Sequence, residues 1–325
     1  MSKLIIGTCS WKYDSWKGII YPQLEEINYL KEYSKHYKSV EVDQWFWSLF
    51  KTVKLPDKKT VDEYKKSVPK DFKFTIKVPN SITLTHYYNR GKSAPLQKNP
   101  HFMSVELFEE FLQTMKPIKN QIGSLIFQFE YLNKQKMSSL SEFQSHLHIF
   151  FTSLPADVPP MSIEIRNPNY LNTNYFRFLK DLDLANVFLQ GYFMPPIVDI
   201  YNKYKEYITG QTIIRLHGPD RSGIEKISGE NWNKIYIPRD EELKDIVEMI
   251  KDLKNRGVDV YLNVNNHYEG CAPVTIERIT MIPIKRPTVM GLASGGFRGP
   301  ANQPRGVLCQ MNPSLTAVAR LIRWS

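Results

Sequence analysis

Eight short runs rich in β-branched and aromatic residues alternate along this chain with longer segments of helical periodicity. The short runs cover residues 4–8, 39–43, 73–78, 124–129, 162–166, 186–190, 212–217 and 259–265. Segments with helical spacing lie between them, among them residues 29–36, 105–115, 138–151, 175–182 and 241–256. Strands joined by helix-length segments pair in parallel, because a parallel crossover needs about a dozen residues or more. Eight such units predict an α/β protein that closes into a single TIM-like (β/α)8 barrel.

The length of the chain also favours one barrel. A TIM-like barrel takes about 250 residues and grows by insertions, and this chain has 325. An open doubly wound sheet is the alternative, but no glycine-rich phosphate loop follows the first predicted strand. Long loops are expected after strands three and seven, at residues 79–106 and 219–241. Both would lie at the carboxyl ends of the strands, where barrel enzymes bind their ligands.

Polar residues recur two positions apart near the ends of seven predicted strands, and residues two apart on a strand share a face. The polar set is Glu41 and Asp43, Thr75 and Lys77, Gln128 and Glu130, Glu164 and Arg166, Gln190, Arg215 and His217, and Asn263 and Asn265. The residues between them are apolar and suit the helix-facing side: Val42, Ile76, Phe129, Ile165, Leu189, Leu216 and Val264. Because buried charges are costly unless they are paired or functional, the shared phase predicts a polar pocket at the barrel mouth.

Within this pocket the predicted catalytic residues are Glu41, Glu164 and His217. Two carboxyl groups in different surroundings can divide acid and base roles. Arg166, two residues beyond Glu164, should keep that carboxyl ionised, whereas Asp43 should raise the pKa of Glu41. His217 is a candidate proton shuttle, and a hydrogen-bonded structural role is the alternative for it.

Arg166, Arg215 and Lys77 are the predicted anion-binding residues, because a guanidinium group matches the geometry of phosphate and carboxylate. The alternative is a structural ion-pair network that fills the barrel without any catalysis. The remaining predicted substrate contacts are Trp11, Asp43, His86, Gln190, Asn263, Asn265 and Asn266. Aromatic residues near the first three strands could stack on a sugar or a base, and we expect about half of them to be core residues: Trp11, Tyr13, Trp16, Trp45, Trp47, Tyr87 and Tyr88.

The sequence gives little support for a metal or another cofactor. Glu41, Asp43, Glu164 and His217 are possible donors, but no paired-histidine motif accompanies them and positive residues share the same mouth. We therefore expect no metal and no cofactor. The three cysteines, an odd number without metal-type spacing, favour a reduced setting. Together with a start that lacks a secretion signal and the absence of a membrane-length apolar run, they predict a cytoplasmic protein.

The net charge of +10 suggests nucleic acid as a partner, but its distribution weakens that suggestion. Residues 285–325 hold six basic residues and no acidic one, which leaves 37 basic and 33 acidic residues in 1–284. This tail is rich in glycine, proline and arginine, whereas the rest of the chain is rich in lysine, tyrosine and isoleucine. We predict a barrel domain at 1–284 and an atypical tail at 285–325, foreign to the fold; a basic arm that contacts nucleic acid is the alternative.

Six motifs in order resemble the domain of unknown function 72 (YecE-like) family. They read IGTCSW at 6–11, VEVD at 40–43, FKFTIKVP at 72–79, IEIRNP at 163–168, RLHG at 215–218 and NNHYEG at 265–270. The resemblance implies a TIM-like barrel and brings no assigned reaction; at the level of the fold it extends to xylose isomerase and endonuclease IV barrels. Two features depart from the family pattern: Asp43 stands where asparagine is common, and residues 44–47 are unusually aromatic.

These observations lead to three hypotheses about function. The first is an enzyme that acts on a small anionic, phosphate- or sugar-containing molecule by carboxylate acid–base chemistry. The second is a barrel of the endonuclease IV type that binds or processes nucleic acid, with a steep salt dependence of binding as its signature. The third is a ligand-binding protein without turnover. A monomer or a small homo-oligomer that does not bind membranes fits all three.

Overall fold

The computed structural model describes residues 2–88 and 95–282, which form a closed barrel of eight parallel strands in sequence order. The strands are β1 (Leu4–Thr8), β2 (Ser39–Val42), β3 (Lys73–Lys77), β4 (Ile122–Gln128), β5 (Met161–Glu164), β6 (Ala185–Gly191), β7 (Gln211–Gly218) and β8 (Asp259–Val264). Pairing of β1 with β8, from Leu4 opposite Val260 to Thr8 opposite Val264, closes the barrel. The predicted TIM-like (β/α)8 fold is confirmed.

Helices follow the strands and cover the outside of the barrel. They are α1 (Tyr29–Tyr33), α2 (Lys58–Ser67), α3 (Asn80–Thr83), α4 (Val105–Met115), α5 (Leu140–Thr152), α6 (Thr173–Asp181), α7 (Ile197–Tyr204), α8 (Arg221–Ser228), α9 (Asp240–Asn255), α10 (Asn266–Glu269) and α11 (Ala272–Met281). Several of these helices are capped by a side chain at their N-terminus. At the start of α4, for example, the side chain of Ser104 accepts a hydrogen bond from the backbone N–H of Leu107. Helix α4 has the bounds that its sequence periodicity predicts.

The barrel interior has an apolar layer below a polar one. Ile126, Val187, Ile213 and Tyr261, with Ile5 packed against them, form a small buried cluster of their own. A separate and larger apolar cluster, which includes Val42, Ile76, Leu216 and Val264, packs between strands and helices. Two positions beyond Ile126, Ile213 and Tyr261, on the same face of their strands, stand the polar residues Gln128, Arg215 and Asn263. The alternation of strand side chains therefore places the polar set inside the barrel, above an apolar plug.

Both long connections lie where they were predicted, but neither is a simple loop. Helix α3 opens the connection after β3, of which residues 89–94 are outside the described part of the chain. The connection after β7 contains α8, where the side chain of Asp220 accepts a hydrogen bond from the backbone N–H of Gly223. Gly229, with a φ of +58°, ends this helix in the left-handed conformation that glycine adopts readily. Each predicted long connection therefore contains one short helix, α3 in the first and α8 in the second.

The predicted atypical tail at 285–325 lies outside the described residues. Within the described ranges, 2–88 and 95–282, no helix is both long enough and apolar enough to span a bilayer.

Candidate functional site

Arg215 on β7 lies inside the barrel between two carboxylates that come from other strands. Its Nε donates to Oε2 of Glu41 at 2.7 Å, and its Nη2 donates to Oε1 of the same carboxylate at 2.6 Å. Its Nη1 donates to Oε2 of Glu164. The side chains of Glu41 and Glu164 are 0 % exposed and that of Arg215 is 2 % exposed. The predicted approach of the two glutamates therefore occurs, with a guanidinium group between them.

Asn263 on β8 completes this layer. Its Nδ2 donates to Oε2 of Glu41 at 3.1 Å and to Oγ1 of Thr75 at 2.9 Å. We call the buried residues Glu41, Thr75, Glu164, Arg215 and Asn263 the buried floor. Because strands β2, β3, β5, β7 and β8 each supply one member, the floor ties distant segments of the chain together.

Arg166 lies one layer above the floor and keeps part of its side chain, 22 %, exposed. Its Nε donates to Oε1 of Glu164 at 2.8 Å, and its Nη2 donates weakly to Gln128 at 3.3 Å. Burial raises the pKa of the Glu164 carboxyl, but the positive charges of Arg215, Arg166 and Lys77 outweigh burial and lower it to about 2. Glu164 is therefore ionised, as the sequence predicts.

Lys77 at the end of β3 is the exception among the buried charges. Five charged side chains are buried in the described part of the chain, namely Glu41, Lys77, Glu164, Arg215 and Glu269. Four of them take part in ion pairs. Among the described residues Lys77 has no ion-pair or hydrogen-bond partner, and its Nζ lies 4.1 Å from the centre of the Phe46 ring. Burial, and then the charge of Arg215, lower the pKa of Lys77 against the opposing effect of the nearby carboxylates.

His217 connects two residues that the sequence prediction did not include. Its Nε2 lies 3.5 Å from Sγ of Cys9 on the segment after β1, and its Nδ1 lies 3.0 Å from the hydroxyl oxygen of Tyr192. Burial, followed by the charges of Arg215 and other nearby cations, holds the pKa of His217 well below its ordinary value. The imidazole is therefore neutral, and its unprotonated ring nitrogen can accept a hydrogen bond. Cys9 carries a recognisable signal, since it continues the inward phase of β1; Tyr192 lies in a loop and carries none.

Asp43 stands at the rim of the mouth, two residues beyond Glu41, and its side chain is exposed. The surrounding protein still removes enough water from its carboxyl group to raise the pKa, and the negative charge of Glu41 raises it further. Asp43 is therefore the solvent-accessible carboxyl of the predicted pair, whereas Glu41 lies beneath it in the floor.

Residues 5–287 match the family model described as "Protein of unknown function DUF72". The chain belongs to the DUF72 family. Two solved DUF72 family structures have the same fold. One, from Enterococcus faecalis V583, is 19 % identical with a TM-score of 0.59 over 87 % of this chain and 97 % of the other. The second, from Thermotoga maritima MSB8, is 20 % identical with a TM-score of 0.57 over 86 % of this chain and 97 % of the other. No curated protein matches this one.

One predicted substrate contact of this DUF72 chain points away from the mouth. Nε2 of Gln190 donates to Glu242 on α9 at 2.7 Å, and its Oε1 accepts from the backbone N–H of Ile197 at 2.9 Å. Leu189 is aligned with Arg215 in the sheet and therefore shares its inward face. Residues 187–189, which precede Gln190 in β6, are all apolar, so the sequence did not mark which face of the strand Gln190 lies on. Its predicted role in substrate binding stays a prediction.

Asn265 and Asn266 lie at the start of α10 and support its backbone. The side chain of Asn265 accepts from the backbone N–H of His267, and that of Asn266 accepts from the backbone N–H of Ala272 at 2.9 Å. Nδ2 of Asn266 is buried without a partner among the described residues. The contacts of both residues are those of local turn and cap residues, so their predicted role in binding stays a prediction.

Trp11 and His86 are placed to the side of the buried floor. The Trp11 ring packs edge-on against Tyr64 with 5.2 Å between ring centres, and it belongs to the large apolar cluster. His86 is buried, and its Nδ1 lies 2.9 Å from the hydroxyl oxygen of Thr85. Burial first, and then the charge of Lys136, lower the pKa of His86. These contacts give both side chains packing roles, and substrate binding by them stays a prediction.

The predicted aromatic cluster divides between core and surface. Trp16 and Trp45 are buried, like Trp11, whereas Trp47 and Tyr88 are 58 % and 52 % exposed. The ring centres of Trp47 and Tyr88 lie 5.5 Å apart on the loops that follow β2 and β3. These two rings form the exposed aromatic pair of the mouth.

The described residues contain one group of potential metal ligands: Cys9, Glu41 and His217, whose donor atoms all lie within 4.8 Å of one another. Both oxygens of Glu41 already accept hydrogen bonds from Arg215. A cation there would have to compete with a guanidinium group that the carboxylate binds at two points. The donor chemistry of this group therefore fits a metal ion poorly.

A cavity of about 430 Å³ lies at the other end of the barrel. Its lining includes Met161, Ala185, Gln211 and Asp259, the first residues of β5 to β8. TIM-like barrel enzymes place their chemistry at the carboxyl ends of the strands, and no member of the predicted site lines this cavity. The candidate site of this DUF72 protein is therefore the mouth above the buried floor.

Proposed function

We propose that this DUF72 protein is an enzyme that acts on a small anionic molecule bound at the carboxyl-end mouth of its barrel. The proposal assigns anion binding to Lys77 and Arg166. Acid–base chemistry at the mouth is assigned to Asp43 and His217.

The observation that carries the proposal is the unpaired ammonium group of Lys77. A buried charge without a partner is costly, and every other buried charge in the described part of the chain has one. Binding of an anion supplies the missing partner charge, so an unpaired buried cation favours anion binding. Arg166 is the second binding group, because its described contacts engage Nε and Nη2 and leave Nη1 available.

The proposal gives Glu41 and Glu164 a positioning role, in place of the acid–base role predicted from the sequence. Both carboxylates lie below the mouth without solvent contact and are occupied by guanidinium groups. Asp43 is the carboxyl that solvent reaches, and its raised pKa suits a group that gives and takes a proton. His217, whose neutral imidazole contacts Cys9 and Tyr192, is the second group to which proton transfer is assigned.

Titration calorimetry with inorganic phosphate tests anion binding before any substrate is known. A charge-assisted hydrogen bond contributes about 1.5–3 kcal/mol, so Arg166→Met and Lys77→Met should each weaken phosphate binding about tenfold or more. Lys66→Met, on the exposed side of α2, is the matched control and should leave the affinity unchanged. Equal phosphate affinity in all four proteins would refute the proposed site.

The exposed aromatic pair, Trp47 and Tyr88, supports nucleic acid as a second candidate ligand. Stacking of a base on an aromatic ring contributes about 1–3 kcal/mol, and both rings stand beside the same mouth. Binding of a labelled single strand should then fall steeply with salt and weaken in Trp47→Ala. Binding that is insensitive to this substitution removes the second candidate.

A further inference from the structure

We propose that the Lys77 amine is the nucleophile of this site and forms an imine with the carbonyl group of an anionic carbonyl compound. The inference rests on the proposed function and narrows it, since it names the substrate class. Anionic carbonyl compounds share a carboxylate or phosphate group and an aldehyde or ketone carbon.

Lys77 stands at the end of β3, where its side chain can meet a ligand. It shares the inward face of the strand with Thr75, a member of the buried floor, and lies two residues closer to the carboxyl end. Lys77 as a whole is 9 % exposed, so that only a small part of the residue is accessible to solvent. A ligand in the mouth above the floor would therefore meet the amine directly.

The surroundings of the Lys77 amine favour its neutral form. The described surroundings offer the Phe46 ring and no hydrogen-bond acceptor. Arg215 opposes protonation, Glu41, Glu164 and Asp43 favour it, and burial decides the balance by lowering the pKa of Lys77. A lysine that is desolvated and next to another cation has the features of an activated amine.

Lys77 and Arg166 suit different parts of such a substrate. A guanidinium group stays charged at all physiological pH values and cannot act as a nucleophile. Arg166 is therefore suited to hold the anionic group of the substrate, and it faces the same mouth from the segment after β5. Lys77 helps to attract the anion while it is protonated, and its amine can meet the carbonyl carbon once the proton is lost.

The reaction balances without a further reactant. The lone pair of the neutral Nζ forms a C–N bond to the carbonyl carbon, and the electrons of the C=O π bond pass to the oxygen. The nitrogen then releases a proton and the oxygen takes one up, which gives a carbinolamine. Proton donation to its hydroxyl group releases water as the nitrogen lone pair forms the C=N bond of the imine. Asp43, which directly follows the neighbouring strand β2 and is close enough to influence Lys77 electrostatically, is the proton donor.

Reductive trapping tests the inference on the full chain. The protein is incubated with a substoichiometric amount of pyridoxal 5′-phosphate, an aldehyde that carries a phosphate group, and is then reduced with borohydride. Peptide mass mapping should find Lys77 modified in preference to exposed Lys66, since a lowered pKa leaves more of the Lys77 amine neutral and reactive at the same pH. Excess inorganic phosphate should slow modification of Lys77 and leave Lys66 unaffected.

Lys77→Arg separates the two proposals. Arginine cannot form the imine, so this variant should lose the trapped adduct at position 77. If phosphate binds but trapping in the unmodified chain shows no preference for Lys77, the imine is refuted and the anion site stands. If phosphate does not bind either, both proposals fail. A thermal melt of Lys77→Arg like that of the parent confirms that the fold is intact.

Discussion

Arg215 and Glu41 are 174 residues apart in sequence and form a two-point ion pair inside the barrel, with N–O distances of 2.7 and 2.6 Å. The guanidinium group also binds Glu164, so one side chain of β7 neutralises carboxylates from β2 and β5. Charges inside a protein are costly unless their partners are fixed. The pair therefore belongs to the framework that keeps the buried floor in place beneath the mouth.

The first prediction concerns loss of this guanidinium group. Arg215→Met leaves two carboxylates buried without their main partner, and breaking a buried ion pair costs about 3–5 kcal/mol. Urea unfolding should show a decrease of that size in the free energy of unfolding. Arg177→Met, on the exposed side of α6, is the control and should change it by less than about 0.5 kcal/mol. Equal stability of the two variants would show that the floor does not depend on Arg215.

The second prediction concerns acid. The pKa of Glu164 is about 2 in the folded protein against 4.5 ordinarily, so the folded state favours the ionised carboxyl. Its contribution is present above pH 4.5 and is lost as the pH falls towards 2. The shift corresponds to about 3 kcal/mol. Glu164→Gln should flatten the fall in the free energy of unfolding over this range.

Denaturant unfolding at a series of pH values measures this effect. Glu109→Gln, a substitution at an exposed position of α4, is the control. Its free energy of unfolding should depend on pH as that of the parent does. A Glu164→Gln curve that falls as steeply in acid as that of the parent would contradict the assignment.

Part of this site follows from sequence periodicity alone. The two-residue spacing in segments 40–43, 73–77 and 162–166 reveals the inward face, because polar and apolar residues alternate there. In β6 the same reasoning does not mark the face of Gln190: Val187, Phe188 and Leu189 are all apolar, so both faces look alike. A sequence shows which residues face inward, but which of their charges are paired depends on distances across the barrel. The unpaired state of Lys77 is therefore visible only in the structure.

The third prediction concerns the place of Gln190. Its side chain supports the start of α7 through the backbone N–H of Ile197 and also contacts Glu242. Gln190→Ala should lower the free energy of unfolding by about 1–2 kcal/mol, since it leaves a helix-terminal N–H without its partner. Calorimetry with phosphate should show an unchanged affinity. A loss of phosphate affinity with unchanged stability would indicate that Gln190 contributes to the anion site at the mouth.

The most direct test of the anion site is a crystal structure of the full chain grown with phosphate. The account predicts an anion above the buried floor, about 3 Å from Nζ of Lys77 and from the guanidinium group of Arg166. The two-point pair of Arg215 with Glu41 should persist beneath it. A structure in which Lys77 is bound to a carboxylate of the protein, with no anion at the mouth, would contradict the account.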